Sequence, residues 1–327
     1  MAAEPRRRRV AVTGASGYLG GVVVRHLRAR GCEVFAFGQR PVERVDPDLR
    51  GGYASWDIAA GPLDEPPSVD AVVHCAGKVS DWGTDDDFEQ VNVIGTRSVV
   101  ATWPDVRIVH ISTASIYNDH RAGVLHERDA DPADRTAIDA VDWLSAYGRS
   151  KRLAEYEVAS RATDWAILRP HAIYGPDDTQ LVPRVVARMR RGRLVLPGDG
   201  RTTRISMVHV DNLVHAIDRA LDSDEVGAFN IVDAITPTVH EAVTAAFAAI
   251  GVPVRIVYAP RAAIWAIARP VEAAWRLAGR RTAPPLHRYS LAHVAWDHVL
   301  DITEAHQRLG YDPQVGYPES FATITVK

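Results

Sequence analysis

The chain reads as an α/β protein: a doubly wound parallel sheet followed by a smaller, mostly helical lobe. Three observations point there. Short, nearly continuous apolar runs recur at residues 9–13, 32–37, 53–56, 70–75, 106–112 and 165–169, which suits strands buried on both faces. Helical stretches lie between several of them, near 86–102 and 143–162, and that alternation is the pattern of βαβ units. A glycine-rich turn, T-G-A-S-G-Y-L-G at 13–20, sits between the first run and the first helix.

Taken in order, R-V-A-V-T (9–13) forms the first strand, and the turn leads into a helix running through Leu27 to a stop at Gly31. C-E-V-F-A-F (32–37) is the second strand, so the chain opens with a right-handed βαβ unit. D-A-V-V-H-C (70–75), V-R-I-V-H-I-S (106–112) and W-A-I-L-R (165–169) extend the sheet. After Pro170 the rhythm changes. Helical segments near 179–192, 211–222, 238–250, 260–278 and 301–309 dominate, with brief strand runs at 205–210, 228–232 and 254–258. Proline-rich breaks fall at 283–285 and near 313–318. The expected division is a nucleotide-binding sheet domain over 1–170 and a substrate lobe over 171–327, with some late chain returning to the sheet.

The net charge of −3 over 327 residues gives no electrostatic reason to expect nucleic acid or an acidic membrane as partner. The basic run Arg6–Arg9 is short and terminal, and reads as a solvated lead-in to the first strand. Two cysteines, Cys32 and Cys75, cannot build a disulfide framework or a Cys-based zinc site, which fits a reducing cytoplasm. The N-terminal charges are not followed by the apolar stretch of a secretory signal. The most apolar late stretch, A-A-I-W-A-I-A at 262–268, is stopped by Arg269 and Pro270, far short of a bilayer span. The expected partner is a small molecule.

The glycine turn supplies the first chemistry. Gly14 permits the tight turn, Gly17 lets the backbone approach a pyrophosphate, and Gly20 lets helix and strand pack closely. The free N–H groups of the helix start then face the anion. In the first turn of a βαβ unit this spacing reads as a Rossmann dinucleotide site. The second strand ends F-G-Q-R (37–40), with no carboxylate to hold the adenosine ribose. Arg40, with Arg44 nearby, offers a guanidinium to a 2′-phosphate instead. NADP(H) is the expected cofactor, NAD(H) the alternative.

In S-A-Y-G-R-S-K (145–151), Tyr147 and Lys151 stand four apart on one helix face. Ala154 and Val158 continue the same stripe, so the lysine shares it with apolar residues. An ammonium turned inward is costly unless something pairs with it. A bound cofactor would provide that partner.

With the T-G-x-x-G-x-x-G turn and Y-x-x-x-K together, the chain resembles the extended short-chain dehydrogenase/reductase superfamily. Asp57 and Ile58 fall where that family contacts adenine, and C-A-G (75–77) is similar to its A-A-G against the cofactor. Asn92, in V-N-V-I-G-T, matches its structural asparagine. H-I-S-T-A-S-I-Y (110–117), L-R-P-H-A-I-Y-G-P (168–176) and G-D-G-R-T-T-R-I-S-M-V-H-V-D-N (198–212) fall where the family places them, so the resemblance runs almost end to end. It implies cofactor contacts from Gly14, Ser16, Gly17, Tyr18 and Leu19, from Asp57 and Ile58, from Cys75, Ala76 and Gly77, and from Pro170 and Ile173. Tyr147 and Lys151 are implied to touch the cofactor as well as to act on the substrate. Tyr147 is then the proton donor or acceptor. A free tyrosine titrates near 10, and the Lys151 ammonium and the positive nicotinamide ring both favour its phenolate. Lys151 also suits the nicotinamide ribose hydroxyls. A hydroxyl at the end of the fifth strand polarises the carbonyl: Thr113 by the family count back from Tyr117, with Ser112 and Ser115 close enough to take its place. A homodimer through two helices per subunit is common in that family.

The superfamily divides into nucleotide-sugar epimerases and dehydratases, and oxidoreductases for other substrates. Arg204, in T-R-I-S, stands where nucleotide-sugar members hold a diphosphate. Against that, Ala172 occupies the place of their nucleotide-holding asparagine. K-V-S-D-W-G (78–83) and A-P-P-L-H-R-Y (283–289), with D-I-T (301–303) and L-G-Y-D-P (309–313), are similar to 3β-hydroxysteroid-dehydrogenase-like proteins. The tryptophan-bearing helix 261–278 would suit an apolar ligand, or else Trp265 and Trp275 are core. His171 follows the sixth strand near the nicotinamide end and reads as loop packing within reach of substrate. The expectation is a ketoreductase or secondary-alcohol dehydrogenase for a large, apolar, cyclic substrate. A redox-neutral nucleotide-sugar enzyme is the alternative, and a cofactor-sensing regulator with no turnover a third reading.

Overall fold

The computed structural model describes residues 6–117 and 123–326. Seven strands form one parallel sheet: β1 (Arg9–Thr13), β2 (Glu33–Gly38), β3 (Tyr53–Ser55), β4 (Ala71–His74), β5 (Arg107–Ile111), β6 (Trp165–Pro170) and β7 (Gly227–Ile231). Their order is β7-β6-β5-β4-β1-β2-β3. The chain winds from β1 outward to β3, then crosses back to β4 and winds the other way. The carboxyl ends of β1 and β4 therefore border a crevice, the place where such sheets hold ligands.

The longer helices are α1 (Tyr18–Ala29), α2 (Gly95–Thr102), α3 (Ala146–Arg161), α4 (Leu181–Ala187), α5 (Val210–Leu221), α6 (Val239–Ala249), α7 (Arg261–Leu277) and α8 (Arg288–Ala295), of which α1 and α5 cover one face of the sheet and α2 and α3 the other. Successive strand side chains point to opposite faces. Val10, Val12, Val73, Val109 and Leu168 pack under α1 and α5, against Val23, Val24, Leu213 and Ile217. Their neighbours Ala11, Val72, Ile108 and Ile167 pack under α2 and α3, against Val99, Val100 and Val158. Both faces are dry, which is why these strands read as unbroken apolar runs.

The expected helix near 86–102 is interrupted. A turn at Asp85–Phe88, capped by Thr84, passes into a wider π-helical turn at Glu89–Ile94 before α2 begins. The late chain differs more. The expected helix near 179–192 stops at Ala187, and the chain turns through Arg191 and Gly192, both at positive φ, into a strand at Arg193–Pro197. That strand pairs in parallel with Arg255–Ala259, while Gly123–Leu125 pairs with His298–Leu300. The expected helix 301–309 begins at 303 and runs to 309, its last five residues, Ala305–Leu309, forming a π-helical turn, and α8 falls where no helix was expected. The run Arg6–Arg9 is less free than a solvated lead-in: Arg6, Arg8 and Arg9 pair with Asp70, Asp222 and Glu33.

Candidate active site

The glycine turn closes on the end of β4. Gly14 has φ of +71°, and a Cβ there would lie 2.6 Å from the Ala76 nitrogen. A Cβ on Gly20 would lie 2.1 Å from the Gly14 carbonyl oxygen, so only glycine lets α1 start this close to the turn. Gly17 is the residue before α1 and offers no side chain to cap it, which leaves the first N–H groups for an anion. Thr13 ties the two strand ends together, its Oγ1 lying 2.7 Å from His74 Nδ1 and accepting from the Ala76 N–H at 3.3 Å.

Facing this turn, α3 presents Tyr147 and Lys151. Ser145 caps the helix by accepting from the Gly148 N–H at 3.0 Å. A Cβ on Gly148 would meet the Ser115 carbonyl oxygen at 2.8 Å, so this glycine lets α3 approach the turn after β5. Asn92, inside the π-helical turn, accepts from the Lys78 N–H at 2.7 Å and donates to the Ser150 hydroxyl at 2.9 Å. It thereby fixes the loop after β4 against α3, one residue from Lys151.

Lys151 is 4% exposed. Its Nζ donates to the Ile111 carbonyl at 2.6 Å and lies 3.4 Å from His110 Nε2. Burial brings its pKa down to about 8, opposed by the charge of Glu155. Burial also pushes the nearby Cys75 thiol up to about 12, so it stays neutral.

A cavity of ≈ 550 Å³ opens above these groups. Of the residues expected to serve cofactor or catalysis, its wall gathers Gly14, Gly17, Tyr18, Leu19, Cys75, Gly77, Thr113, Tyr147, Lys151, Pro170 and Ile173, together with Ser112 and Ser115. Others lie outside the wall. Ser16 sits at the tip of β2, against Gly38. Arg40 is exposed, Asp57 caps the turn at 58–60, and Ile58 is buried beneath Gly95. Ala76 packs against Gly14. This glycine cradle, with a buried amine opposite, fits a nicotinamide dinucleotide: the turn would hold the pyrophosphate and Lys151 the ribose next to the nicotinamide.

The hydroxyls after β5 separate in role. Ser112 donates to Glu155 at 2.6 Å. That carboxylate also takes two bonds from Arg169, at 3.0 and 2.8 Å, and both partners are fully buried. Burial is the largest influence and works against the Glu155 carboxylate, but the charges of Arg169 and Arg152 and the hydrogen bonds from Arg169 and Ser112 together outweigh it and hold the group ionised. Thr113 and Ser115 are not drawn into that pair. Thr113 Oγ1 donates toward Ser115 Oγ at 3.4 Å, and Ser115 Oγ lies 3.0 Å from the Tyr289 hydroxyl.

Tyr289 belongs to α8 and had no expected role, though the sequence motif ends on it. Its ring meets Tyr147 edge-on at 6.4 Å. His293, one turn on, and His171 also line the cavity. His171 donates through Nδ1 to the Ser206 carbonyl at 2.8 Å, which leaves Nε2 to accept from His293 Nδ1 at 3.1 Å. Burial lowers His171 to about 3 and takes His293 well below its usual range. Among the described residues no group of three or more His, Cys, Asp or Glu is placed to hold a metal.

Two readings of the substrate wall that the sequence left open now separate. Helix α7 contributes nothing to the cavity. Trp265 packs on Trp296 at 4.7 Å, and Trp275 Nε1 donates to the Thr282 carbonyl. The apolar wall comes instead from α4 and α6, through Val182, Val185, Val239, Val243 and Phe247. Arg204 is exposed and donates to the Thr236 carbonyl at 3.1 Å, outside the wall.

A doubly wound sheet, a glycine turn at its switch point and a Tyr-x-x-x-Lys helix opposite define an NAD(P)-dependent oxidoreductase of the extended short-chain dehydrogenase/reductase type, acting on CH–OH and C=O groups. The model of the NAD dependent epimerase/dehydratase family matches residues 10–232, and the chain belongs to that family. It is 32% identical to a 2-alkyl-3-oxoalkanoate reductase of Stenotrophomonas maltophilia, covering 97% of this chain and 98% of the relative. It is 26% identical, over 97% of this chain and 95% of the relative, to a 4-hydroxy-2-methyl-3-oxo-4-farnesyl-3,4-dihydroquinoline-1-oxide ketoreductase of Stigmatella aurantiaca. Among solved structures, a UDP-glucose 4-epimerase of Thermotoga maritima superposes with a TM-score of 0.69 at 21% identity, covering 97% of each chain, and shares the fold. No helix among the described residues is long and apolar enough to cross a membrane.

Proposed function

We propose that the chain is an NADP(H)-dependent ketoreductase, or in reverse a secondary-alcohol dehydrogenase, for a large and mainly apolar ketone. The observation that carries this reading is the wall beyond Tyr147. Aliphatic side chains of α4 and α6 line it, with Ile205 and Met207, while Arg204, the residue suited to a nucleotide-sugar diphosphate, lies outside. A mostly apolar pocket with a few placed polar groups selects an apolar ligand. The names of the two relatives support the same class, since one describes an alkyl-substituted 3-oxo acid and the other a farnesylated 3-oxo quinoline.

On this reading the substrate carbonyl lies among Tyr147, Thr113 and Ser115. Reduced nicotinamide, when bound, supplies the hydride taken up by the carbonyl carbon. Tyr147 gives its phenolic proton to the carbonyl oxygen, and the hydroxyls of Thr113 and Ser115 hold that oxygen while charge develops on it. Lys151, one helical turn on, favours the negative charge left on the phenol oxygen until solvent restores the proton. The preference for NADP(H) rests on the tip of β2, where Gln39 and Arg40 stand with no carboxylate. Asp57, the nearby acid, is occupied by the Ala59 N–H at 3.1 Å and Gln39 Nε2 at 3.2 Å. Residues 171–327 supply the substrate wall.

The test follows NADPH absorbance with purified protein and a panel of 2-alkyl-3-oxo acids, polycyclic ketones and nucleotide keto-sugars. Net NADPH loss with the apolar ketones is expected. Tyr147→Phe should still bind NADPH and lose at least about 10²-fold in turnover, the usual worth of a placed acid; near-normal turnover would refute its role. A rearranged nucleotide sugar without net NADPH loss would replace this reading with a redox-neutral one.

A further inference from the structure

One part of the cavity wall carries charge that moving a proton and a hydride does not require. Arg184 on α4 and Arg188 just past its end both line the cavity, as does Asp81 from the loop after β4. The two guanidinium groups share that single carboxylate. Arg184 Nη1 lies 3.2 Å from one oxygen, and Arg188 Nη2 lies 2.8 Å from the other. Arg184 also donates to the Gln180 side-chain oxygen at 2.7 Å, and Arg188 lies 3.2 Å from His287 Nε2. His287 adds no charge, because burial, helped by Arg188, lowers it to about 4. Two cations and one anion leave a surplus positive charge on the wall of a mostly apolar space. The Arg184 and Arg188 side chains are each 36% exposed, so water shares in this charge, and an anion entering the cavity would take the place of that water.

The surplus lies on the reacting side of the cavity. Tyr289 stacks on His287 at 6.4 Å and 9°, while its hydroxyl reaches Ser115 at 3.0 Å and its ring meets Tyr147. One aromatic side chain thus links the hydroxyls expected at the carbonyl to the Arg188 cluster. Resting on the ketoreductase reading, we propose that Arg188, with Arg184 behind it, binds an acidic group carried by the ketone. The substrate is then an amphiphilic oxo acid, with its carboxylate at Arg188 and its apolar skeleton against Val182, Val185, Val243 and Phe247. A cofactor phosphate offers a guanidinium the same chemistry, so the experiment separates the two.

The experiment compares kcat/KM for a 2-alkyl-3-oxo acid and its methyl ester, in the wild type and in Arg188→Met. The wild type should prefer the acid by about 30-fold, the order expected for hydrogen bonds to a charged group. Arg188→Met should bring acid and ester within about threefold of each other, mainly through KM. A wild type indifferent to the charge, or a preference retained in Arg188→Met, overturns the proposal. So does an NADPH Kd that weakens in step with acid turnover, since the charge would then serve the cofactor. If the wild type reduces neither compound, the ketoreductase reading fails on its own. Calorimetry with the 2-alkyl-3-hydroxy acid and its primary amide then decides the anion site: tighter binding of the acid to the wild type supports it, and equal binding overturns it. That wild-type comparison also decides the matter if Arg188→Met does not fold.

Discussion

Lys151 combines burial with a hydrogen bond to the Ile111 carbonyl, and its pKa falls from the usual 10.5 to about 8. The sign of the pH effect follows. Between about 8 and 10.5 the folded chain has released a proton that the unfolded chain still holds, so stability should rise with pH across that window. Cys75, pushed up to about 12, pulls the other way above its ordinary value of 9.0, so the lysine is read as a difference: between pH 8 and pH 10 the cofactor-free wild type should gain stability in urea relative to Lys151→Met. The same pH dependence in both proteins would mean the lysine keeps its charge in the fold. Tyr147 and Lys151 were legible in the sequence as neighbours because their spacing on one helix face is itself the signal. Tyr289 and Arg188 were not. Each gains its meaning from partners more than ninety residues away, Ser115 and Asp81, and no local periodicity records such contacts. The choice among Ser112, Thr113 and Ser115 was equally hidden. It turns on the Ser112 hydroxyl being taken by Glu155, which depends in turn on Arg169 lying beside that carboxylate.

The first strand–turn–helix unit is where an added methyl group tests the packing most sharply. Gly20→Ala would place a Cβ 2.1 Å from the Gly14 oxygen, a contact that flexible side chains cannot relieve because both sides are backbone. Overpacking of this kind costs about 1–3 kcal/mol. The variant should unfold at lower urea with an unchanged slope and bind NADPH more weakly; wild-type values for both would show that α1 can slide away. This unit was readable from its turn chemistry, and α3 from the stripe Tyr147, Lys151, Ala154 and Val158; the Ser145 cap was not read. The π-helical turn at 89–94 was not, since its apolar spacing resembles an ordinary helix and only the inward commitments of Asn92 reveal the extra residue. The short parallel pairs of the late chain escaped for a different reason. The run at 254–258 was expected as a strand, but Arg193–Pro197 alternates too briefly to be recognised alone and becomes a strand by pairing with Arg255–Ala259.

The sheet is completed by chain that arrives late. β7 pairs along β6 from Ala166 to Pro170, α5 buries Leu213 and Ile217 over β5 and β6, and the Tyr311 hydroxyl donates to the Val232 carbonyl at 3.1 Å. A fragment of residues 1–170 would keep α1 over β1 and β2 but leave that face of Val109, Ile111 and Leu168 bare. We expect it to lack a cooperative thermal transition, while the full chain melts in a single step; a fragment that melts cooperatively and binds NADPH would show that the first half folds alone. The doubly wound plan was legible because both faces of every central strand are buried. The return of residues 227–231 to the sheet was expected only in outline, because strand pairing order leaves no mark on composition.

The cavity has two kinds of lining, supplied by different stretches of chain. The groups suited to move a proton come from the ends of β5 and the start of α3, while the surface that meets the rest of a ligand comes from α4, α6 and α8. In evolutionary terms that separation makes the second set free to drift. Exchanging Val239, Val243 or Phe247 alters which skeleton fits without touching Tyr147, Lys151 or the glycine turn. A lineage built on this plan could therefore change its diet by a few apolar substitutions in one helix, and a protein engineer could follow the same route.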